Sequence, residues 1–214
     1  STDYYLIFDG EENRIAHNTL QRVGNLAHGG HGISCKSGEG PTYSAEYNLI
    51  HANECINMVN GAIQLRWSGV RNNRVTGNIA RGGLGIVVSD GASNNICDDM
   101  DLIGCIDALV FAGYFEDYNY AGKSGVGNTF TDFRVTNCGR SVIAISWYTD
   151  ASAMCELNIL DNWDIDGSPQ LFLVYHDSQN NELRNSAIAN VPSLAEYGNG
   201  KSTTGFTFPN TTGV

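Results

Sequence analysis

Basic residues are scarce in this chain. Twelve Lys and Arg stand against 23 Asp and Glu in 214 residues, a formal net charge of −11. That balance excludes a nucleic-acid phosphate backbone and an anionic membrane surface as partners, because both repel an acidic protein. There is no G-x-x-x-x-G-K-S/T loop, no strand–GxGxxG–helix unit and no basic stripe, so nucleotide and nucleic-acid chemistry is disfavoured. No apolar run approaches the roughly 20 residues of a membrane-spanning helix, which argues against membrane insertion. The chain starts Ser1-Thr2-Asp3 without an initiator Met or a charged-then-apolar signal segment, and reads as a trimmed or excised piece of a longer chain. The six cysteines (Cys35, Cys55, Cys97, Cys105, Cys138 and Cys155) include no CxxC pair and no Cys/His zinc spacing. They read first as small buried hydrophobes. Were any bridged, Cys105–Cys138 is the pair to test first. No metal site and no cofactor is expected.

Glycine (25) and asparagine (23) stand where charge is missing. Both are poor helix formers, so a helical bundle is excluded. Apolar residues at 42% suffice for a core, and the length suits one domain or two.

An internal repeat organises the chain. It runs Asn, one residue, an aliphatic, two residues, and often Asn again. The clear copies are Asn13-Arg-Ile15-Ala-His-Asn18, Asn48-Leu-Ile50-His-Ala-Asn53 and Asn73-Arg-Val75-Thr-Gly-Asn78. Weaker copies start at Asn95, Asn128 and Asn181, and Cys155-Glu-Leu157 takes the same slot without Asn. A short apolar run follows each start. These include Gly32–Cys35, Ala62–Leu65, Gly85–Val88, Ala108–Phe111, Val142–Ile145 and Leu171–Val174. Such runs, bounded by Gly, Asn, Asp or Ser, carry a strand signature.

Short strands at a period of about 25 residues describe a solenoid whose turns bury apolar faces against one another. Superposition puts Ile33, Ile63, Ile86, Leu109, Ile143 and Phe172 in one inward column. Cys35, Leu65, Val88, Phe111, Ile145 and Val174 form a second. Asn tolerates a left-handed φ at a turn, and its amide can bond to the Asn above and below. Asn18, Asn53 and Asn78 are expected to form one ladder; Asn48, Asn73 and Asn95 another. Two spacings are about ten residues too long, placing loop insertions near Gly38–Tyr47 and Tyr114–Gly127.

The N-x-I/V-x-x-N element followed by G-I-x-V resembles the right-handed parallel β-helix repeat proteins of the pectin-lyase-like superfamily, over roughly residues 4–191. The resemblance implies an all-β chain, a single right-handed parallel β-helix of about seven coils with two insertions. The helix is assigned to residues 1–192 and a C-terminal extension to 193–214. That extension is either loose or a strand packed on the last coil or on a neighbouring subunit. The superfamily holds polysaccharide lyases, glycoside hydrolases, sugar epimerases, phage tailspikes and adhesins, so the fold alone does not select an activity. An uncovered first coil would expose strand edges, which implies more chain or another subunit over it.

Gly30-His31-Gly32 and Asp98-Asp99 resemble the G-H-G and D-D segments of β-helix polygalacturonases. Their order is reversed, and the companion N-T-D and R-I-K segments are absent, so both matches read as chance. His17 and His51 sit one register position apart and are expected on opposite sides, not as a metal pair. Asp98, Asp99 and Asp101 read as a solvated acidic turn. Arg66 occupies an outward position with Ser89 in its column, but no acids gather there for a lyase site. Trp67 and Trp147 read as packing residues in one column; Trp163 has no assigned partner. The strongest chemical candidate is Tyr114-Phe115-Glu116-Asp117-Tyr118-Asn119-Tyr120, whose outward column continues to Tyr148, with Asp150 beside it, and to Asp177. Aromatic planes beside carboxylates suit a sugar ring. Glu116, Asp117, Asp150 and Asp177 are thus the candidate acid and base of glycoside cleavage. Tyr114, Tyr118, Tyr120, Tyr148 and Arg66 are the candidate substrate contacts. The alternative for the loop is that its aromatics staple it to the solenoid wall.

Two functions follow. One is a glycan-directed protein that binds, and as a hydrolase or lyase cleaves, a polysaccharide or surface glycan. The other is a non-catalytic tailspike or adhesin segment. Both imply an extracellular, cell-surface or virion setting.

Overall fold

The computed structural model describes residues 4–23, 30–37, 43–113, 123–145 and 154–214. Among them there is no helix, and every strand pairing is parallel. Three parallel sheets wind into a right-handed β-helix of about seven coils. The first sheet stacks Tyr4–Phe8, His31–Lys36, Gly61–Arg66, Ile86–Ser89, Asp107–Ala112, Ser141–Ile145, Gln170–Val174 and Ser193–Tyr197. A second sheet takes the chain after each ladder Asn. A third is built from Ala45–Glu46, Val70–Arg71, Ala92–Ser93, Lys123–Val126, Met154–Glu156 and Asp177–Gln179. Two of those strands lie where only insertions were expected. Their two to four residues are too short to show an apolar period.

Both inward columns form as read. Ile33, Ile63, Ile86, Leu109, Ile143 and Phe172 are successive register partners, as are Cys35, Leu65, Val88, Phe111, Ile145 and Val174. All twelve are buried. The six cysteines are free and buried. Burial pushes the Cys35, Cys55 and Cys105 thiols up to about 12, so they serve as small apolar groups. On the opposite face of the first sheet from the inward columns, Val87, Val110, Ala144 and Leu173 belong to a second, smaller apolar cluster.

The longer Asn ladder has seven rungs: Asn13, Asn48, Asn73, Asn95, Asn128, Asn158 and Asn181. Each Oδ1 accepts both the backbone N–H and the Nδ2–H of the preceding rung, at 2.8–3.1 Å. Buried amides are thereby satisfied along the whole stack. Asn158 corrects the slot given to Cys155-Glu-Leu157, which was three residues early. The two roles assigned to Asn also separate. The rung residues have ordinary φ, and the residue before each carries the left-handed turn: Glu12, Tyr47, Asn72, Asn94, Gly127, Leu157 and Asn180, at φ +54° to +63°.

The second ladder joins Asn18 to Asn53 and Asn53 to Asn78, each at 2.9 Å. It then changes character. The next rung is Met100, whose sulfur lies 3.8 Å from Asn78 Nδ2, and Phe133 follows by register. Phe133 stacks on Trp163, with ring centroids 4.5 Å apart.

Residues 193–214 lie on the last coil. Ser193–Tyr197 pairs with Gln170–Val174, Phe206–Thr207 pairs with Asn181–Arg184, and Thr212 bridges to Ala187. Phe206 and Phe208 pack on Phe172, with centroids 5.0 and 6.0 Å away, closing that end of the core.

Candidate functional site

Most of the sugar-binding candidates lie outside the described residues: Tyr114, Glu116, Asp117, Tyr118, Tyr120, Tyr148 and Asp150. Trp147 does as well. Two candidates can be located. Arg66 does pair with Ser89 in register, but it is buried, not open. Its Nε donates to Asp90 Oδ2 at 3.0 Å, and its guanidinium lies 5.1 Å from the Trp67 ring centroid. Lys36 Nζ lies 5.2 Å from the same ring. Asp177 opens a third-sheet strand opposite Met154 and is held by Lys201 Nζ at 2.6 Å. The described residues therefore do not bring Arg66 and Asp177 together.

Other readings change too. Asp98, Asp99 and Asp101 belong to the strand Ile96–Ile103, and of the three only Asp99 takes a left-handed turn, at φ +53°. Asp98 pairs with Arg74 at 2.6 Å and Asp101 with Arg134 at 3.3 Å. His31 starts a first-sheet strand, as its glycine-rich approach suggested, and is buried. His17 and His51 are not on opposite sides: their ring centroids are 5.4 Å apart. A one-residue register offset reverses the face in a flat strand, but His17 sits at φ +60° and swings back towards its neighbour. Among the described residues, no group of three or more His, Cys, Asp or Glu is placed to share a metal ion.

The feature that sequence reasoning missed is a crease down the second sheet. Midway through each coil one residue turns left-handed: His17, Ala52, Gly77, Asp99, Asp132, Asn162, Asn185 and Asn210, at φ +51° to +61°. Register stacks them in one column. Towards the C-terminal end the crease opens into a depression of about 540 Å³ lined by Asp99, Asp132, Asn162, Asn185 and Asn210, with Arg134 at its side. The stacked Phe133 and Trp163 form part of its wall. Trp163 is fixed by its Nε1–H donating to the Phe130 carbonyl at 3.0 Å. The side chains are ordered among themselves. Asn162 Nδ2 donates to Asp132 Oδ1 at 2.6 Å, Asn185 Nδ2 to Asp161 Oδ1 at 2.8 Å, and Asn210 Nδ2 to Asn185 Oδ1 at 3.2 Å.

Asp161 is held below the usual carboxylate range by the Asn185 amide and by Arg184. In the third sheet, Arg71 and Asn72 hold Glu46 low in the same way. A general acid needs the opposite shift, so these two acids are fixed charges. What the crease offers is a row of amide donors and carboxylate acceptors repeating at about 4.8 Å, open to solvent. No family model matches the chain, and neither a curated protein nor a solved structure matches it.

Proposed function

We propose that this is a glycan-directed β-helix of the pectin-lyase-like kind that binds an extended, uncharged polysaccharide along the crease of its second sheet. The observation that carries this is the depression of about 540 Å³ with Asp99, Asp132, Asn162, Asn185 and Asn210 on successive coils. Sugar hydroxyls both donate and accept, so two carboxylates followed by three amides along one column suit them. The net charge of −11 disfavours a polyanion. An outward-facing setting (secreted, cell-surface or virion) fits such a ligand, and a non-catalytic adhesin or tailspike segment needs nothing more.

Affinity electrophoresis through gels containing neutral or acidic polysaccharides tests the reading. Retardation is expected with a neutral polymer and is expected to weaken at least tenfold in Asp132→Ala and Asn162→Ala. Retardation that survives both substitutions removes the crease as the site. Cleavage, if it accompanies binding, is proposed to fall to Glu116, Asp117 and Asp150. Release of reducing ends that persists unchanged in Glu116→Gln, Asp117→Asn and Asp150→Asn would remove them.

A further inference from the structure

We infer that His17 and His51 form a two-imidazole site for a divalent transition-metal ion, with Cu²⁺ bound more tightly than Ni²⁺ or Zn²⁺. The ring centroids are 5.4 Å apart and the planes are inclined at 77°. Two imidazoles on one ion, each with a metal–nitrogen bond of about 2.0–2.1 Å, bring their centroids to roughly 5 Å. The observed pair therefore already stands at about the centroid separation that two imidazoles on one ion require.

His51 is already oriented for this. Its Nδ1 lies 3.3 Å from the Thr76 carbonyl oxygen. A carbonyl only accepts, so Nδ1 carries the proton and Nε2 keeps its lone pair. This is the arrangement by which a backbone carbonyl fixes the tautomer of a ligating histidine. His17 is exposed and linked to the same rung, its N–H donating to the His51 carbonyl at 3.2 Å. It lines an open depression of about 340 Å³ with Glu54 and Gly77, so water reaches this side of the pair.

Imidazole donors suit copper, nickel and zinc, and the stability order of divalent ions places Cu²⁺ first. The acidic surface raises the local concentration of any cation.

The test uses the untagged chain. Calorimetric titration with Cu²⁺ near neutral pH is expected to give one ion per chain. Affinity should fall tenfold or more in His17→Asn and in His51→Thr. Both replacements already occupy equivalent places, at Asn162 and Thr76, so folding is preserved. A second measurement needs no variant: Zn²⁺ added to the wild-type chain should shift the ring resonances of His17 and His51 and leave those of the other histidines in place. Absence of Cu²⁺ binding at micromolar concentration, unchanged affinity in the folded double variant, or Zn²⁺ shifts confined to other histidines would each overturn the site.

Discussion

Asn128 shows how much one side chain carries here. Its Oδ1 accepts from the backbone N–H and the Nδ2–H of Asn95, and its Nδ2 donates to the Ala92 carbonyl and to Asn158 Oδ1, all within 3.1 Å and fully buried. Asn128→Ala strands several buried polar groups, each worth about 1–3 kcal/mol. We expect a loss on the order of 3 kcal/mol, read as a fall in the urea midpoint. The half-buried end rung should cost far less, with Asn13→Ala losing roughly 1 kcal/mol. Equal shifts for the two would refute a cooperative buried ladder. Glu46 gives a pH signature. Its folded pKa lies below the unfolded value of about 4.3, because Arg71 bonds to the carboxylate. The stability it adds is present above the unfolded value and disappears as pH falls through the folded one. Melting temperature should therefore drop on acidification below about pH 4.3, and less steeply in Arg71→Gln. An identical acid profile in that variant would count against the pair.

At the scale of elements, the second ladder is the instructive one. It begins with Asn18, Asn53 and Asn78 and ends with Met100, Phe133 and Trp163, so polar stacking gives way to aromatic stacking within one column. Phe133 is nearly fully buried between Phe130 and Trp163. Phe133→Ala should cost about 3–5 kcal/mol and relax the crease wall, weakening glycan retention in the same gels. Destabilisation without loss of retention would separate wall from site. The contrast explains what could be read in the sequence. The first-sheet columns and the long ladder were legible because one residue class recurs at one position. The slot at Cys155 misled because Cys-x-Leu mimics the Asn-x-Leu three residues on. The crease was illegible because His, Ala, Gly, Asp and Asn share a backbone angle there and no side-chain chemistry. The loop candidates at Glu116 and Asp150 lie outside the described residues, so the structure gives their chemistry no geometry.

For the whole molecule, stability is spread along a line. Each coil touches its two neighbours, and the strands pair across 22 to 35 residues of chain, as the ladder spacings show. Such solenoids are sums of coil and interface terms. The left-handed turn and the rung beside it recur almost unaltered, as at Asn72-Asn73 and Asn94-Asn95. That makes length a variable independent of fold. Excising residues 73–94 would join Asn72 directly to Asn95 and set Gly61–Arg66 against Asp107–Ala112, with Ile63 meeting Leu109 and Leu65 meeting Phe111. The shortened chain should fold and melt cooperatively, its long axis reduced by about 4.8 Å, and an aggregated product would refute the modular reading. The copy number of coils can then drift by whole units, as in a ruler cut only at its marks.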